Sequence, residues 1–139
     1  MIEYLHAMIR TRDPEASIRF YTDGLGLKMW RKNDYEDGRF SLYFVGERED
    51  GPMIELTHNW DDRAYTGGDQ FGHLAFRTDD VYQTCQNLMD MGVDILRPPR
   101  DGYMAFVKDP NGISIELLQR GERKAAQAPW SEMENQGSW

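Results

Sequence analysis

The chain repeats itself, and this limits the folds open to it more than any other feature. His6-Ala-Met-Ile-Arg-Thr-Arg-Asp13 aligns without gaps on His73-Leu-Ala-Phe-Arg-Thr-Asp-Asp80, with histidine, arginine, threonine and aspartate coinciding. Gly26 and Gly92 then follow helical stretches in similar places. Phe44-Val45 precedes Ile54-Glu55-Leu56, and Phe106-Val107 precedes Ile115-Glu116-Leu117 over a slightly shorter interval. Self-similarity of this kind means two copies of one supersecondary unit.

Each copy reads in the same order. An opening strand is expected over residues 3–11 and 70–78, and a helix over 14–24 and 80–91. Pro14 suits a first helical turn, where its missing N–H costs nothing. Ile18, Tyr21 and Leu25, and in the second copy Val81, Cys85, Leu88 and Met89, recur at helical spacing. Three short strands should follow, near 27–33, 39–46 and 52–59, then near 93–97, 102–108 and 113–119. Asp109-Pro110-Asn111-Gly112 supplies the turn between the last two. The expectation is an α+β fold of two βαβββ modules, about 3–59 and 70–119. Together they form a single domain over residues 1–139, with a C-terminal tail at 120–139.

Strand side chains alternate between faces. His6, Met8 and Arg10 therefore share a face, as do Glu55, Thr57 and Asn59, and as do His73 and Arg77. A carboxylate between isoleucine and leucine is costly unless something compensates its desolvation. The chain incurs this twice, at Glu55 and Glu116, each time with a histidine on the opening strand. A lone strand histidine is more often a hydrogen-bonded core residue, and a lone strand glutamate usually faces solvent. Four residues recurring in pairs favour a divalent metal bound by His6, Glu55, His73 and Glu116. Two nitrogens and two oxygens, completed by water, suit octahedral Ni²⁺, Co²⁺ or Zn²⁺. Cys85 sits at helical spacing and reads as packing. His58 has the wrong parity relative to Glu55 and reads as surface.

Bulk properties narrow the partners. A net charge of −8 and a pI of about 4.8 argue against nucleic acid or an anionic membrane as main partner. No apolar run approaches the roughly 18 residues of a membrane span, and the start carries no basic and apolar signal pattern. One cysteine excludes an internal disulfide framework and suits a cytoplasmic location.

The two modules resemble the vicinal oxygen chelate superfamily, and the closer motifs resemble its glyoxalase I (lactoylglutathione lyase) family. Those motifs are Leu5-His6-Ala-Met-Ile-Arg10, Ser17-Ile-Arg-Phe-Tyr21 with Leu25-Gly-Leu-Lys-Met29, Ile54-Glu-Leu-Thr-His-Asn59, Phe71-Gly-His73, and Ala105-Phe-Val-Lys-Asp-Pro-Asn-Gly112 with Ile115-Glu-Leu117. They span about residues 3–119.

The resemblance implies isomerisation of the methylglyoxal–glutathione hemithioacetal to S-D-lactoylglutathione. It implies one divalent metal per site on His6, Glu55, His73 and Glu116, with Glu116 doubling as catalytic base. Arg10 and Asn59 would hold the glutathione part, and His73 would stand at the substrate as well as on the metal. Histidine as first ligand and a short segment between Val93 and Phe106 resemble the Ni²⁺- or Co²⁺-activated type, with Zn²⁺ as the other admissible ion. A homodimer with sites at its interface is implied too. Asp69 stands where zinc-type members carry an arginine for a glutathione carboxylate, and the loop before Tyr103 resembles that of trypanothione-using forms. Another metal-dependent lyase or isomerase of the fold is the alternative, such as an acyl-CoA epimerase or a glyoxalase for a different thiol. A ring-cleaving dioxygenase would need one carboxylate fewer, and a metal-free binder would have no use for four ligands.

Overall fold

Both copies open alike because the same side chains close the turn between strand and helix. In the computed structural model, which describes all 139 residues, β1 (His6–Arg10) leads into α1 (Pro14–Arg19), and β5 (His73–Thr78) leads into α2 (Val81–Asp90). Asp13 Oδ1 accepts the N–H of Ala16 at 3.0 Å. Asp80 Oδ1 accepts those of Tyr82 and Gln83 at 3.0 and 3.1 Å. Each carboxylate satisfies amides that a helix start leaves without partners. Behind the caps, the Thr11 and Ser17 hydroxyls lie 2.8 Å apart, and those of Thr78 and Thr84 lie 2.7 Å apart. The repeat therefore extends to individual hydrogen bonds.

The helices end on Gly26 and Gly92, whose φ of 78° and 86° lie in the left-handed region that favours glycine. The first copy has one residue more than the second between aspartate cap and glycine. A π turn at Phe20–Gly24 absorbs it, with Leu25 N–H donating to Phe20 O at 3.0 Å.

β2 (Lys28–Tyr35), β3 (Phe40–Gly46) and β4 (Met53–Asn59) join β1 in a sheet of order β1-β4-β3-β2. β6 (Met104–Lys108) and β7 (Ser114–Gln119) join β5 in a sheet of order β5-β7-β6. The opening strand is parallel to its neighbour in each, and the other pairs are antiparallel. This is the α+β fold expected, with one correction. Residues 93–97 form no strand, and only an isolated bridge from Arg97 to Phe106 remains. Pro98 and Pro99 end the pairing, because neither has an N–H to donate. Ile95 keeps its apolar role and is buried.

The chain divides into two units, Met1–Thr66 and Gly67–Trp139. In the first, Ile9, Val45, Ile54 and Leu56 are buried on the sheet face next to the helical segment that carries buried Ser17 and Tyr21. In the second, Ala105, Val107, Ile115 and Leu117 are buried, together with Val81, Cys85 and Leu88 of α2. Full burial of such a branched side chain contributes about 1.5–3 kcal/mol. Alternation then sends the other residues of each sheet to the face without a helix. No helix is long and apolar enough to cross a membrane. Residues 120–139, outside the repeat, are fastened to the second unit: Trp130 is buried, and the Tyr82 hydroxyl donates to Ala125 O at 2.7 Å.

Candidate metal centre

On the helix-free face of the first sheet, His6 Nε2 lies 2.6 Å from Glu55 Oε2. On that of the second, His73 Nε2 lies 2.8 Å from Glu116 Oε2. Register explains both pairs. Glu55 stands beside Met8 of the parallel strand, and Glu116 beside Ala75, each two residues past its histidine. The strand pleat carries imidazole and carboxylate to the same face. The glutamate side chains are only 13% and 16% exposed. Each carboxylate is thus held mostly out of water, flanked along its strand by buried Ile54 and Leu56 or Ile115 and Leu117.

An aromatic ring backs each histidine. Phe44, the cross-strand partner of Glu55, meets His6 edge-to-face at 5.9 Å. Phe106, the partner of Glu116, meets His73 at 5.3 Å. These rings limit where each imidazole can swing. In the sequence, Phe44 and Phe106 occupy matching positions of the repeat. A second feature had no such signal. The register of β2 on β3 shifts between Met29 and Arg31, placing Arg31 opposite Phe44. Without that bulge Arg31 would point to the other face. Instead its guanidinium lies 4.1 Å over the Phe44 ring.

Arg10 is exposed on the face of β1 that carries His6. Asn59 lies on the face of β4 that carries Glu55, and its Nδ2 donates to the Tyr65 hydroxyl at 2.7 Å. His58 points the other way, as its parity requires, but it is half-buried rather than a surface residue. Its Nδ1 lies 3.1 Å from Thr11 O, joining the end of β4 to the residue after β1. Cys85 is fully buried, and burial pushes its thiol up to about 12. A thiol so poor in thiolate is neither ligand nor nucleophile.

The donor chemistry fits a borderline divalent ion: imidazole nitrogen and carboxylate oxygen, both on a rigid strand. Each unit presents one imidazole and one carboxylate in contact, and no group of three or more His, Cys, Asp or Glu side chains gathers in the chain.

Residues 3–117 match the model of the Glyoxalase/Bleomycin resistance protein/Dioxygenase superfamily. The chain belongs to that superfamily. Within it, the chain is 43% identical over 127 residues to a probable lactoylglutathione lyase of Synechocystis, covering 86% of this chain and 97% of the relative. It is 42% identical over 123 residues to a lactoylglutathione lyase of Neisseria meningitidis, covering 84% and 89%. Among solved structures it is similar to the trypanothione-dependent glyoxalase I of Leishmania major. That similarity has a TM-score of 0.81 at 36% identity and covers 86% of this chain and 87% of the other.

Proposed function

We propose that this chain is a lactoylglutathione lyase, isomerising the hemithioacetal of methylglyoxal and glutathione to S-D-lactoylglutathione. The observation that carries the reading is the same histidine–glutamate contact in both units, at 2.6 and 2.8 Å, each with its carboxylate held mostly out of water. Its relatives' names, lactoylglutathione lyase and glyoxalase I, support the same reaction.

His6, Glu55, His73 and Glu116 would hold the ion, with Ni²⁺ or Co²⁺ preferred over Zn²⁺. A divalent ion so held would supply positive charge to offset the negative charge that develops on the substrate oxygens. Glu116 takes the proton from the carbon bonded to sulfur and returns one to the neighbouring carbon. No electrons leave the substrate, so no redox cofactor is called for. Arg10, unpaired and exposed, binds a carboxylate of the thiol peptide, and the Asn59 side-chain amide adds polar contacts there. Fixing the thiol part places the reacting carbons at Glu116. A homodimer in the cytoplasm completes the reading, each site drawing one histidine–glutamate pair from each chain.

The test is thioester absorbance from methylglyoxal plus glutathione, after metals are returned to apo-protein, with trypanothione in parallel. Growth of the thioester is the expected result. Growth with trypanothione alone moves the reading to a different thiol. No growth with either thiol, in the presence of bound metal, rejects it.

A further inference from the structure

Residues 130–139 carry none of the groups the proposed reaction needs, yet they are fixed to the second unit in detail. Trp130 is 3% exposed and stacks on Tyr82 at 6.4 Å. Arg100 Nη1 donates to Met133 O at 3.1 Å and to Asn135 Oδ1 at 2.8 Å. The Gln136 N–H donates to Leu96 O at 2.9 Å, in the stretch at 93–97 that forms no strand. This run delivers Trp139 to Phe106, where the two rings stack at 5.4 Å with an interplanar angle of 18°. Phe106 is the ring that meets His73 and lies opposite Glu116.

The first unit shows what is particular about this. There the corresponding ring, Phe44, is covered by the Arg31 guanidinium at 4.1 Å. A cation covers one ring and an indole the other. Trp139 remains 42% exposed, stacked on the ring that lies opposite Glu116 in the sheet. Structural burial does not require that, since Trp130 already anchors the segment. Glu116 must reach both carbons between which the proton moves, and one of them carries the substituent of the 2-oxoaldehyde. Arg10 and Asn59 claim the polar thiol part, so the group left to meet an aromatic wall is that substituent.

We propose that Trp139 is a specificity-determining residue: held by its stack on the buried Phe106, it forms an aromatic wall on the Glu116 side of the sheet that receives the 2-oxoaldehyde substituent and favours an aryl group over methyl. This rests on the reaction proposed above. A methyl group offers a stacked wall little area, whereas an aryl ring gains the contact of an aromatic pair.

The experiment compares kcat/KM for the hemithioacetals of phenylglyoxal and methylglyoxal, made with one thiol, in wild type, Trp139→Ala and Trp139→Phe. The phenyl-to-methyl ratio should fall about 3- to 10-fold in Trp139→Ala and return most of the way in Trp139→Phe, the range an aromatic pair supports. If Trp139→Ala lowers the thermal midpoint, Trp139→Leu keeps apolar bulk without a ring and should show the same fall. A second readout needs no turnover: the fluorescence lost in Trp139→Phe should be the part of the wild-type signal quenched when Co²⁺ alone is added. An unchanged ratio in a folded, active ring-less variant overturns the inference and leaves the lyase reading standing. Co²⁺ quenching equal in wild type and Trp139→Phe also overturns it. A wild type inactive on both hemithioacetals with metal bound overturns the lyase reading itself, and the inference with it.

Discussion

Replacing Glu116 by glutamine separates chemistry from folding, because the two effects draw on different features of the same contact. Glutamine keeps the shape of glutamate, and its amide still reaches the His73 nitrogen, now 2.8 Å from Oε2. The side chain is only 16% exposed, so losing the charge also removes a desolvation penalty. Stability of the metal-free protein should therefore change by no more than about 1 kcal/mol, the scale of one neutral hydrogen bond. Turnover should behave differently. An amide is no base, and a positioned general base contributes about 10²- to 10⁴-fold, or roughly 3–5 kcal/mol of barrier.

The assay is thioester formation per bound metal ion, since the substitution also weakens a ligand. Thermal unfolding of the apo-protein runs alongside. Arg10→Ala is the contrast. An exposed cation that holds a substrate carboxylate should cost about 1.5–3 kcal/mol, read mainly in KM. Glu55→Gln, 13% exposed and equally paired, should keep more turnover than Glu116→Gln once metal is saturating. A dead Glu55→Gln beside an active Glu116→Gln would show the roles of the two units to be reversed. Full activity in both would refute carboxylate-mediated proton transfer altogether.

Three further outcomes follow from the site and the core. Ni²⁺ or Co²⁺ should restore more activity to apo-protein than Zn²⁺, and full activity with Zn²⁺ alone would contradict this, read by thioester absorbance after dialysis against each ion. Chains carrying His6→Ala, co-expressed with chains carrying His73→Ala, should regain about half the wild-type activity per heterodimer if sites are shared across a two-fold interface; no recovery in heterodimers confirmed by mass would exclude shared sites. Burial pushes the Cys85 thiol from 9.0 up to about 12, so the unfolded chain loses that proton first as pH rises. The contribution of Cys85 is intact below pH 9 and is lost toward pH 12, by up to about 1.4 kcal/mol per pH unit. Urea midpoints of wild type should fall more steeply over this window than those of Cys85→Ala, and parallel curves would contradict the assignment.

How far the fold could be read in advance depended on whether a feature recurred. Asp13 and Asp80 stood at one place in both copies and proved to be helix caps, and Gly26 and Gly92 proved to be helix ends. Features present once were harder. Pro98 and Pro99, just past the strand expected at 93–97, have no N–H with which to extend it, and the apolar Ile95 before them still suggests pairing. The extra residue in the first copy gave no hint that a π turn would hold it. Trp130 and Trp139 sit in a charged stretch with no helical or strand period, so nothing local says what they cover. Parity sets the face of His58 but says nothing of its contact with Thr11 O. The histidine–glutamate contacts follow from parity and register together, and only the first was available from sequence.

The residues that match between the copies and those that differ divide along chemical lines. An ion surrounded by donors has no front or back, so both units can present the same imidazole, carboxylate and backing phenylalanine. A hemithioacetal has a charged peptide end and a small carbonyl end, and two equal units could not tell them apart. The differences fall where that distinction has to be made. Arg10 corresponds to Arg77, but Asn59 corresponds to Arg120, which is occupied by Asp79 at 2.7 Å. Phe44 is covered by a cation brought round by a strand bulge, and Phe106 by an indole brought round by residues 130–139. Under the proposed reaction, the scaffold repeats where the ion would be held, and the two ends of the substrate would be told apart by residues present in one copy only, Asn59 and Trp139.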